Sequence, residues 1–242
     1  NKIINGAMQV AQRGTSFAST GSEYTIDRFE HGSSGGLTFD TTTTQDSSGP
    51  VGFTKCLKIT PDSTQTPTGT MNGLIQTKIE GQDLQSLAFG TASAKKITIS
   101  FYAKSAAQNN NHQYSVQLRK YNDAADRAFV NQAFTVTSSW QRFTMTFNGD
   151  TSENIRNTNE LGMQVIFHLS NGVDDIAAAV STFSRSTNSG ADRAAVGQVN
   201  CMDSTSNDIY LTGVQFEIGD TATDFEHRSF GDELARCQRY YW

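Results

Sequence analysis

The sequence predicts an all-β fold, and three observations lead to this prediction. Short segments alternate between apolar and polar residues with a period of two, which is the pattern of half-buried strands. These segments recur about every ten to twenty residues with turn residues between them. Helical patterns are scarce. Together these features favour an antiparallel sandwich or barrel over βαβ units.

The alternation is clearest in the middle of the chain. Four segments carry it: KKITISFYAK, HQYSVQLRKY, WQRFTMTFN and LGMQVIFHL. In the first of them Ile97, Ile99 and Phe101 point to one side, while the residues between them point to the other. Each of the four is therefore predicted to be a strand with one face in the core.

Further strands are predicted along the rest of the chain, with only short helical turns. The strands are KIINGAMQV, EYTIDRFEH, GLTFDTT, KCLKIT, GLIQTKIE, RAFVNQAFTV, GQVNCM and NDIYLTGVQFEI. The segments GQDLQSLAFG and DDIAAAV each predict one short helical turn. The stretch from Ser170 to about Ala195 is rich in Ser, Asn and Gly, and it is predicted to be irregular.

Composition excludes some classes of function. The net charge is −5 and the pI is about 5.3, whereas a nucleic-acid binder needs a concentrated basic face. No apolar run approaches the roughly 20 residues of a membrane span. We therefore expect neither nucleic-acid binding nor membrane insertion. The chain begins with Asn1 instead of Met, so we expect it to be a piece of a longer protein.

The cysteines and the missing motifs argue against cofactors and catalysis. Cys56, Cys201 and Cys237 are odd in number, widely spaced and without a C-x-x-C pair, so we expect small core residues instead of disulfides or a zinc site. The sequence has no nucleophile elbow, H-E-x-x-H, P-loop or G-x-G-x-x-G. We expect no cofactor, no metal and no catalytic residues.

The end of the chain predicts a short amphipathic helix. Ser229 is a good N-cap, and Asp232 follows in the capping-box position. Leu234, Cys237 and Tyr241 form a narrow apolar stripe. An isolated helix of this length is marginal in water. We therefore predict a sandwich over residues 1–228 and a helix over residues 229–242 that docks on the sandwich or on a neighbouring subunit.

Both ends of the chain resemble a known group of proteins. NKIINGAMQVAQRG, YTIDRF and IYLTGVQFEIGDTATDFEHRSFGDELARCQRYY are similar to segments in the receptor-binding or fibre-tip domains of bacteriophage tail proteins. The resemblance implies an antiparallel jelly-roll β-sandwich, like those of carbohydrate-binding modules, that closes with a short C-terminal α-helix. It also implies a place on the virion, in the tail or an appendage outside the host cell, commonly as a homotrimer beside other virion proteins.

One feature of such sugar-binding modules is missing. Many of them hold a structural calcium between an acidic residue near the opening Asn-Gly and an Asp in the last strand. Here the opening reads NGAMQ, and Thr212 and Gly213 stand where acidic residues would be expected. Calcium prefers several oxygen ligands including carboxylates, so we do not expect that metal.

The outward faces of the central strands carry the candidate binding site. Planar aromatic side chains can cover the C–H side of a sugar ring, while Arg, Gln and His can bind its hydroxyls or carboxylates. If these strands are neighbours, such residues share one face that binds a host-surface glycan. The candidates are Tyr102, Gln117, Arg119, Tyr121, Trp140, Arg142, Gln164 and His168.

Two other functions fit the same residues. The face can instead be solvated, or it can be buried against another subunit. In an architectural protein, the chain would trimerise through this face or through the terminal helix. Jelly-roll polysaccharide lyases use Tyr, His, Arg and Gln, which Tyr102, His168, Arg142 and Gln164 would supply. Those lyases have a Gln-x-His motif, but three residues separate Gln164 from His168 here. Non-catalytic glycan binding is therefore the main prediction.

Overall fold

Strands form most of the regular structure in a computed structural model of the chain, which describes residues 1–106, 111–123, 126–185 and 194–240. The strands are β1 Ser16–Ser19, β2 Glu23–Tyr24, β3 Phe29–Ser34, β4 Thr41–Asp46, β5 Cys56–Pro61, β6 Asn72–Glu80, β7 Ile97–Ser105, β8 His112–Tyr121, β9 Arg127–Val136, β10 Gln141–Phe147, β11 Leu161–Asn171, β12 Ile176–Ala177, β13 Val180–Arg185, β14 Ala194–Ala195 and β15 Ile209–Ile218. The α-helix α1 is Phe230–Gln238, and 3₁₀ turns lie at Gly81–Leu87, Val173–Asp175 and Cys201–Asp203.

Two antiparallel sheets form the sandwich. The six-stranded sheet has the order β1-β4-β5-β15-β7-β10, and the seven-stranded sheet has the order β13-β9-β8-β11-β6-β3-β2. The short pair β12 and β14 is parallel. This arrangement confirms the predicted all-β, antiparallel jelly-roll sandwich with a short C-terminal helix.

The apolar positions of the alternating strands meet between the sheets. Ile97, Ile99 and Phe101 of β7 are fully buried. The Phe101 ring packs edge-on against Phe134 and Phe167, with centroids 5.0 and 5.1 Å away. Because Phe134 lies on β9 and Phe167 on β11, these contacts join the two inner faces. Burial of each such ring contributes roughly 1.5–3 kcal/mol.

Two predicted strands are absent from the structure. KIINGAMQV forms turns, because Asn5 and Met8 have φ values of 59° and 57°, which a strand does not allow. In GQVNCM, Asn200 caps the 3₁₀ turn Cys201–Asp203 by accepting a hydrogen bond from the Met202 N–H. The stretch predicted to be irregular, in turn, contains β12, β13 and β14.

The opening segment is fastened to the sandwich through Asn5. The Asn5 amide group donates to the carbonyls of Val10 and Asp27, at 2.8 and 2.9 Å, and accepts from the Val10 N–H. Next to it, the Val214 N–H in β15 donates to the Gly6 carbonyl at 2.9 Å. A Cβ on Gly6 would lie 2.1 Å from the Val214 oxygen, so only glycine fits here. Direct hydrogen bonds thus join the opening segment to the last strand.

The helix α1 contacts the opening segment through a buried carboxylate. Glu233 accepts a 2.6 Å hydrogen bond from the Asn5 backbone N–H and lies 3.5 Å from Arg228. Arg228 also donates to the carbonyls of Ile3 and Asn1. Ser229 accepts from the Asp232 N–H and caps the helix. The contacts of Glu233 and Arg228 hold the helix against the N-terminal segment; we call them the terminal clasp.

The predicted apolar stripe of the helix is only partly described. Cys237 is buried and Leu234 is half-buried, whereas Tyr241 lies outside the described residues. In the segment before the helix, the Glu226 carboxylate binds the N-terminal amine of Asn1 at 3.0 Å, and Arg228 also contacts the N-terminal segment. The side chain of His227, which lies between these two residues, points elsewhere and packs against Phe53, with 5.1 Å between the ring centroids. Successive side chains of this segment thus point to opposite sides, as they do in an extended peptide.

Glu233→Ala tests the clasp. The substitution leaves the buried Asn5 N–H without an acceptor, and we expect the free energy of unfolding to fall by about 1–3 kcal/mol in urea titrations. Glu233→Gln keeps a carbonyl acceptor and should lose less. Gln238→Ala, at an exposed position of the same helix, should stay within about 0.5 kcal/mol of the unsubstituted chain. Equal stability of Glu233→Ala and Gln238→Ala would contradict this account.

The cysteines should be unreactive in the folded chain. All three are free and buried. Burial raises the pKa of Cys56 to about 11 and that of Cys237 to about 12, and it also raises the pKa of Cys201. Since the thiolate is the reactive form, a chromogenic disulfide reagent at pH 8 should label the folded chain very slowly and all three thiols after denaturation. Rapid labelling of a folded thiol would contradict the burial.

Candidate functional site

The eight predicted site residues do not share one face, because their strands belong to different sheets. Trp140 precedes β10, and Tyr102 and Arg142 lie on β7 and β10, all at the six-stranded sheet. The other five lie on β8 and β11 of the seven-stranded sheet: Gln117, Arg119, Tyr121, Gln164 and His168. The assumption of a single face was wrong, since β7 and β8 are consecutive along the chain but lie in opposite sheets.

The three residues at the six-stranded sheet, Tyr102, Trp140 and Arg142, contact loops of the same chain. Tyr102 packs on Phe53 with ring centroids 5.2 Å apart. The Arg142 guanidinium donates to the carbonyl of Thr223, and the Trp140 indole N–H donates to the carbonyl of Ser48 at 2.9 Å. These contacts tie the loops around residues 48–53 and 223 to the sheet.

Two of the five residues on the seven-stranded sheet are fully buried. Gln117 and His168 have no exposed surface. Their cross-strand neighbours, Asn131 and Ser115, accept hydrogen bonds from the backbone N–H groups of Val180 and Ala195. Val180 and Ala195 therefore lie against this part of the outer face, and Gln117 and His168 do not face solvent.

The remaining three residues belong to a network on the outer face. The Tyr121 hydroxyl donates to Oε1 of Gln164 at 2.9 Å. Nε2 of Gln164 in turn donates to Oε1 of Gln76 at 2.7 Å. Arg119 is the cross-strand neighbour of Gln164 and donates to Oε1 of Gln117 at 2.8 Å. The network thus runs across β8, β11 and β6.

Lys78 extends this network toward the edge of the sheet. It lies directly across from Gln164 and forms an ion pair with Glu30 of β3. Burial disfavours its charge, but the hydrogen bond and charge of Glu30 outweigh that effect and raise the pKa of Lys78. Its ammonium lies 5.4 Å from the centre of the Tyr24 ring. We call this set the polar strip: Glu30, Gln76, Lys78, Arg119, Tyr121 and Gln164.

The polar strip combines a buried floor with accessible side chains. Gln76 and Gln164 are 8% and 6% exposed, so their amides are held in place by the network. Lys78, Arg119 and Tyr121 are partly exposed, and Tyr24 at the sheet edge is 38% exposed. Fixed amides beside accessible rings and cations suit the recognition of a hydroxyl-rich ligand.

A pocket of about 370 Å³ adjoins the strip at the β2 edge. Its walls are Tyr24, Arg28, Lys78, Ile79, Glu80, Asn159, Leu161, Arg239 and Tyr240. The Tyr240 ring lies 3.5 Å from the Arg28 guanidinium carbon, and Arg239 binds both oxygens of Glu80 at 2.9 and 2.6 Å. Burial, together with a hydrogen bond to Glu80, raises the pKa of Tyr240 to about 12. The end of the helix thus completes this pocket.

Sequence reasoning missed several of these residues for different reasons. Gln76, Lys78 and Glu80 alternate with Ile75, Thr77 and Ile79 in GLIQTKIE, so their common face was readable from the sequence. Arg28 and Tyr240 had no such signal. Arg28 has a φ of 71° in a turn, and Tyr240 follows the helix. Only the folded chain brings them together.

The geometry does not support the lyase alternative. Tyr102 and Arg142 lie at one sheet, and Gln164 and His168 lie at the other, so the four cannot act on one sugar unit.

In the part of the chain that the structure describes, no three His, Cys, Asp or Glu side chains are grouped as a metal site requires. None of the helices described has the length and apolar character to span a membrane.

Comparison with known proteins gives likenesses in structure only. No family model matches the sequence, and no curated protein matches it. A putative sugar binding protein from Bacteroides thetaiotaomicron VPI-5482 matches with 10% identity and a TM-score of 0.49, over 90% of this chain and 99% of that chain. The family 11 carbohydrate-binding module of the Clostridium thermocellum cellulase Lic26A-Cel5E matches with 11% identity and a TM-score of 0.42, over 87% and 99%.

A phage protein is also similar in structure. The tailspike protein 4 enzymatically active domain of bacteriophage CBA120 matches with 10% identity and a TM-score of 0.46, over 90% of this chain. The match spans about a fifth of that domain, 21% of its length. At these identities the likenesses concern the fold alone, and the ligand has to be inferred from the side chains of this chain.

Proposed function

We propose that this chain is a non-catalytic domain that binds carbohydrate on the outer face of its seven-stranded sheet. The polar strip is the observation that carries this proposal. The side-chain amides of Gln164 and Gln76 are already oriented by their hydrogen bond to each other and by the one from the Tyr121 hydroxyl. Binding a glycan therefore requires little reordering of these side chains. The Tyr121 and Tyr24 rings offer apolar faces to sugar C–H groups, while Lys78 and Arg119 offer donors to its oxygens.

The ligand is proposed to be a glycan of a host-cell surface, and the domain part of a phage tail fibre or appendage. This placement on a virion, like the homotrimer and the contact with other virion proteins, is supported by the resemblance of the two chain ends to phage receptor-binding domains. An architectural role is the competing function. It would be favoured if the polar strip were covered in an assembled oligomer, which light scattering and a structure of that oligomer can decide.

Tyr121→Ala tests the proposed surface. We expect glycan binding, measured by array and by calorimetry, to weaken about tenfold, because a stacking ring and the donor to Gln164 are both removed. Tyr210→Ala is the matched control, since Tyr210 is a partly buried tyrosine on the outer face of the other sheet.

The outcomes separate the two faces and the two functions. If Trp140→Ala or Tyr102→Ala abolishes binding while Tyr121→Ala does not, the site is on the six-stranded sheet. If no glycan binds to the folded chain, the architectural function is favoured. Release of unsaturated or shortened sugar products from a bound glycan would contradict the non-catalytic assignment.

A further inference from the structure

Arg28 is an unusual residue of the pocket at the β2 edge. It is 9% exposed, and its backbone has a φ of 71°, in the left-handed region that non-glycine residues rarely occupy. Such strain persists only where the surrounding structure enforces it, and it is frequent at ligand sites. The surrounding contacts therefore place a guanidinium in the pocket wall at a cost to the backbone.

The guanidinium of Arg28 is only partly satisfied. It has five N–H donors, of which Nη2 donates to the Lys78 carbonyl, while the buried Nε has no hydrogen-bond partner. The Tyr240 ring covers one face of the group. Among the residues that the structure describes, no carboxylate lies within ion-pair distance of the Arg28 guanidinium. Burial lowers the pKa of Arg28, which reflects the cost of this charge, although an arginine remains protonated.

The other charges of the pocket are paired. Lys78 binds Glu30, and Arg239 binds Glu80. Counted over the described residues, three cations therefore face two carboxylates, which leaves one positive charge in excess, although the chain as a whole has a net charge of −5. The excess charge is that of Arg28, the most buried of the three cations.

We propose that this pocket binds the carboxylate of an acidic sugar, such as a uronic acid unit, within the glycan that the polar strip holds. The proposal rests on the proposed function and adds the ligand class. One carboxylate matches the single excess charge and the forked donors of an arginine. The exposed face of Tyr24 is available to the sugar ring. A volume of about 370 Å³ is at the small end for ligand pockets, which suits one unit at the edge of a longer chain.

The experiment compares each glycan with its carboxyl-reduced form. Bacterial surface polysaccharides are presented to the intact chain on an array in both forms, and the best ligand is then measured by calorimetry. We expect that ligand to be acidic, with reduction of its carboxylates weakening binding at least tenfold. Arg28→Met should weaken binding of the native glycan by a similar factor and leave binding of the reduced form nearly unchanged. Lys78→Met removes a donor of the polar strip as well as a positive charge beside the pocket, so it should weaken binding of both forms, and of the acidic form several-fold more.

Lys58→Met is the matched control. Lys58 also lies on the outer face of a sheet and pairs with a carboxylate, that of Asp208, but it belongs to the other sheet. It should not change the preference for the acidic form. If Arg28→Met unfolds the chain, as circular dichroism would show, Lys78→Met decides the question.

The outcomes distinguish the inference from the proposed function. Equal binding of the acidic and reduced forms, or a loss in Lys78→Met that is the same for both, overturns the acidic-sugar inference and leaves carbohydrate binding intact. Binding of phosphorylated glycans alone also overturns it. Binding of no glycan in either form overturns both.

Discussion

The hydrogen bond between the Glu233 carboxylate and the Asn5 N–H joins the two ends of the chain, and much of the structure near the pocket depends on it. The Asn5 backbone N–H donates to Glu233 of the helix, and its side-chain amide donates to the carbonyl of Asp27. Arg28 follows Asp27 directly. The same helix brings Tyr240 over the Arg28 guanidinium. The Glu233 carboxylate, which binds the Asn5 N–H and Arg228, thus holds both sides of the pocket wall. It holds the Arg28 side through Asn5 and Asp27, and the Tyr240 side through the helix.

Three segments from distant parts of the chain, NKIINGAMQVAQRG, YTIDRF and the stretch from Ile209 to Tyr240, meet at this clasp. Asn5 belongs to the first segment, Asp27 and Arg28 to the second, and Glu233 and Tyr240 to the third. The Asp27 carboxylate also accepts hydrogen bonds from the backbone and side chain of Gln12 in the first segment. Asn5, Asp27 and Glu233 therefore satisfy one another's polar groups across these segments, groups that would otherwise be buried without a partner.

Most strands were predictable from the sequence because alternation is a local property. The partners of a strand are not local. Nothing in KKITISFYAK and HQYSVQLRKY indicates that they lie in opposite sheets, and this separated Tyr102 from Gln164. Lys120 is a similar case: its position continues the inward side of Leu118, yet its ammonium is buried against Asp150 at 2.8 Å, a partner that only the fold supplies.

The candidate site was predictable to a different extent at each of its parts. Arg119, Tyr121 and Gln164 followed from outward positions on strands that do pair. Gln117 and His168 are outward by the same rule but are buried, because residues from a later part of the chain, Val180 and Ala195 among them, lie against their end of the face. Outward alternation identifies the side of a sheet, and it does not indicate whether a distant segment covers that side.

The cross-strand register also sets how a ligand can lie on the face. Lys78, Gln164 and Arg119 are direct neighbours on three adjacent strands, so the polar strip runs across the strands and not along one. From β2 to β8 there are four strand spacings, which is roughly 19 Å at about 4.8 Å each. The buried Gln117 and His168 close one side of this path, and the pocket with Arg28 lies at its β2 end. A bound glycan would therefore cross the sheet from Tyr121 toward Tyr24, and its end unit would reach the buried guanidinium.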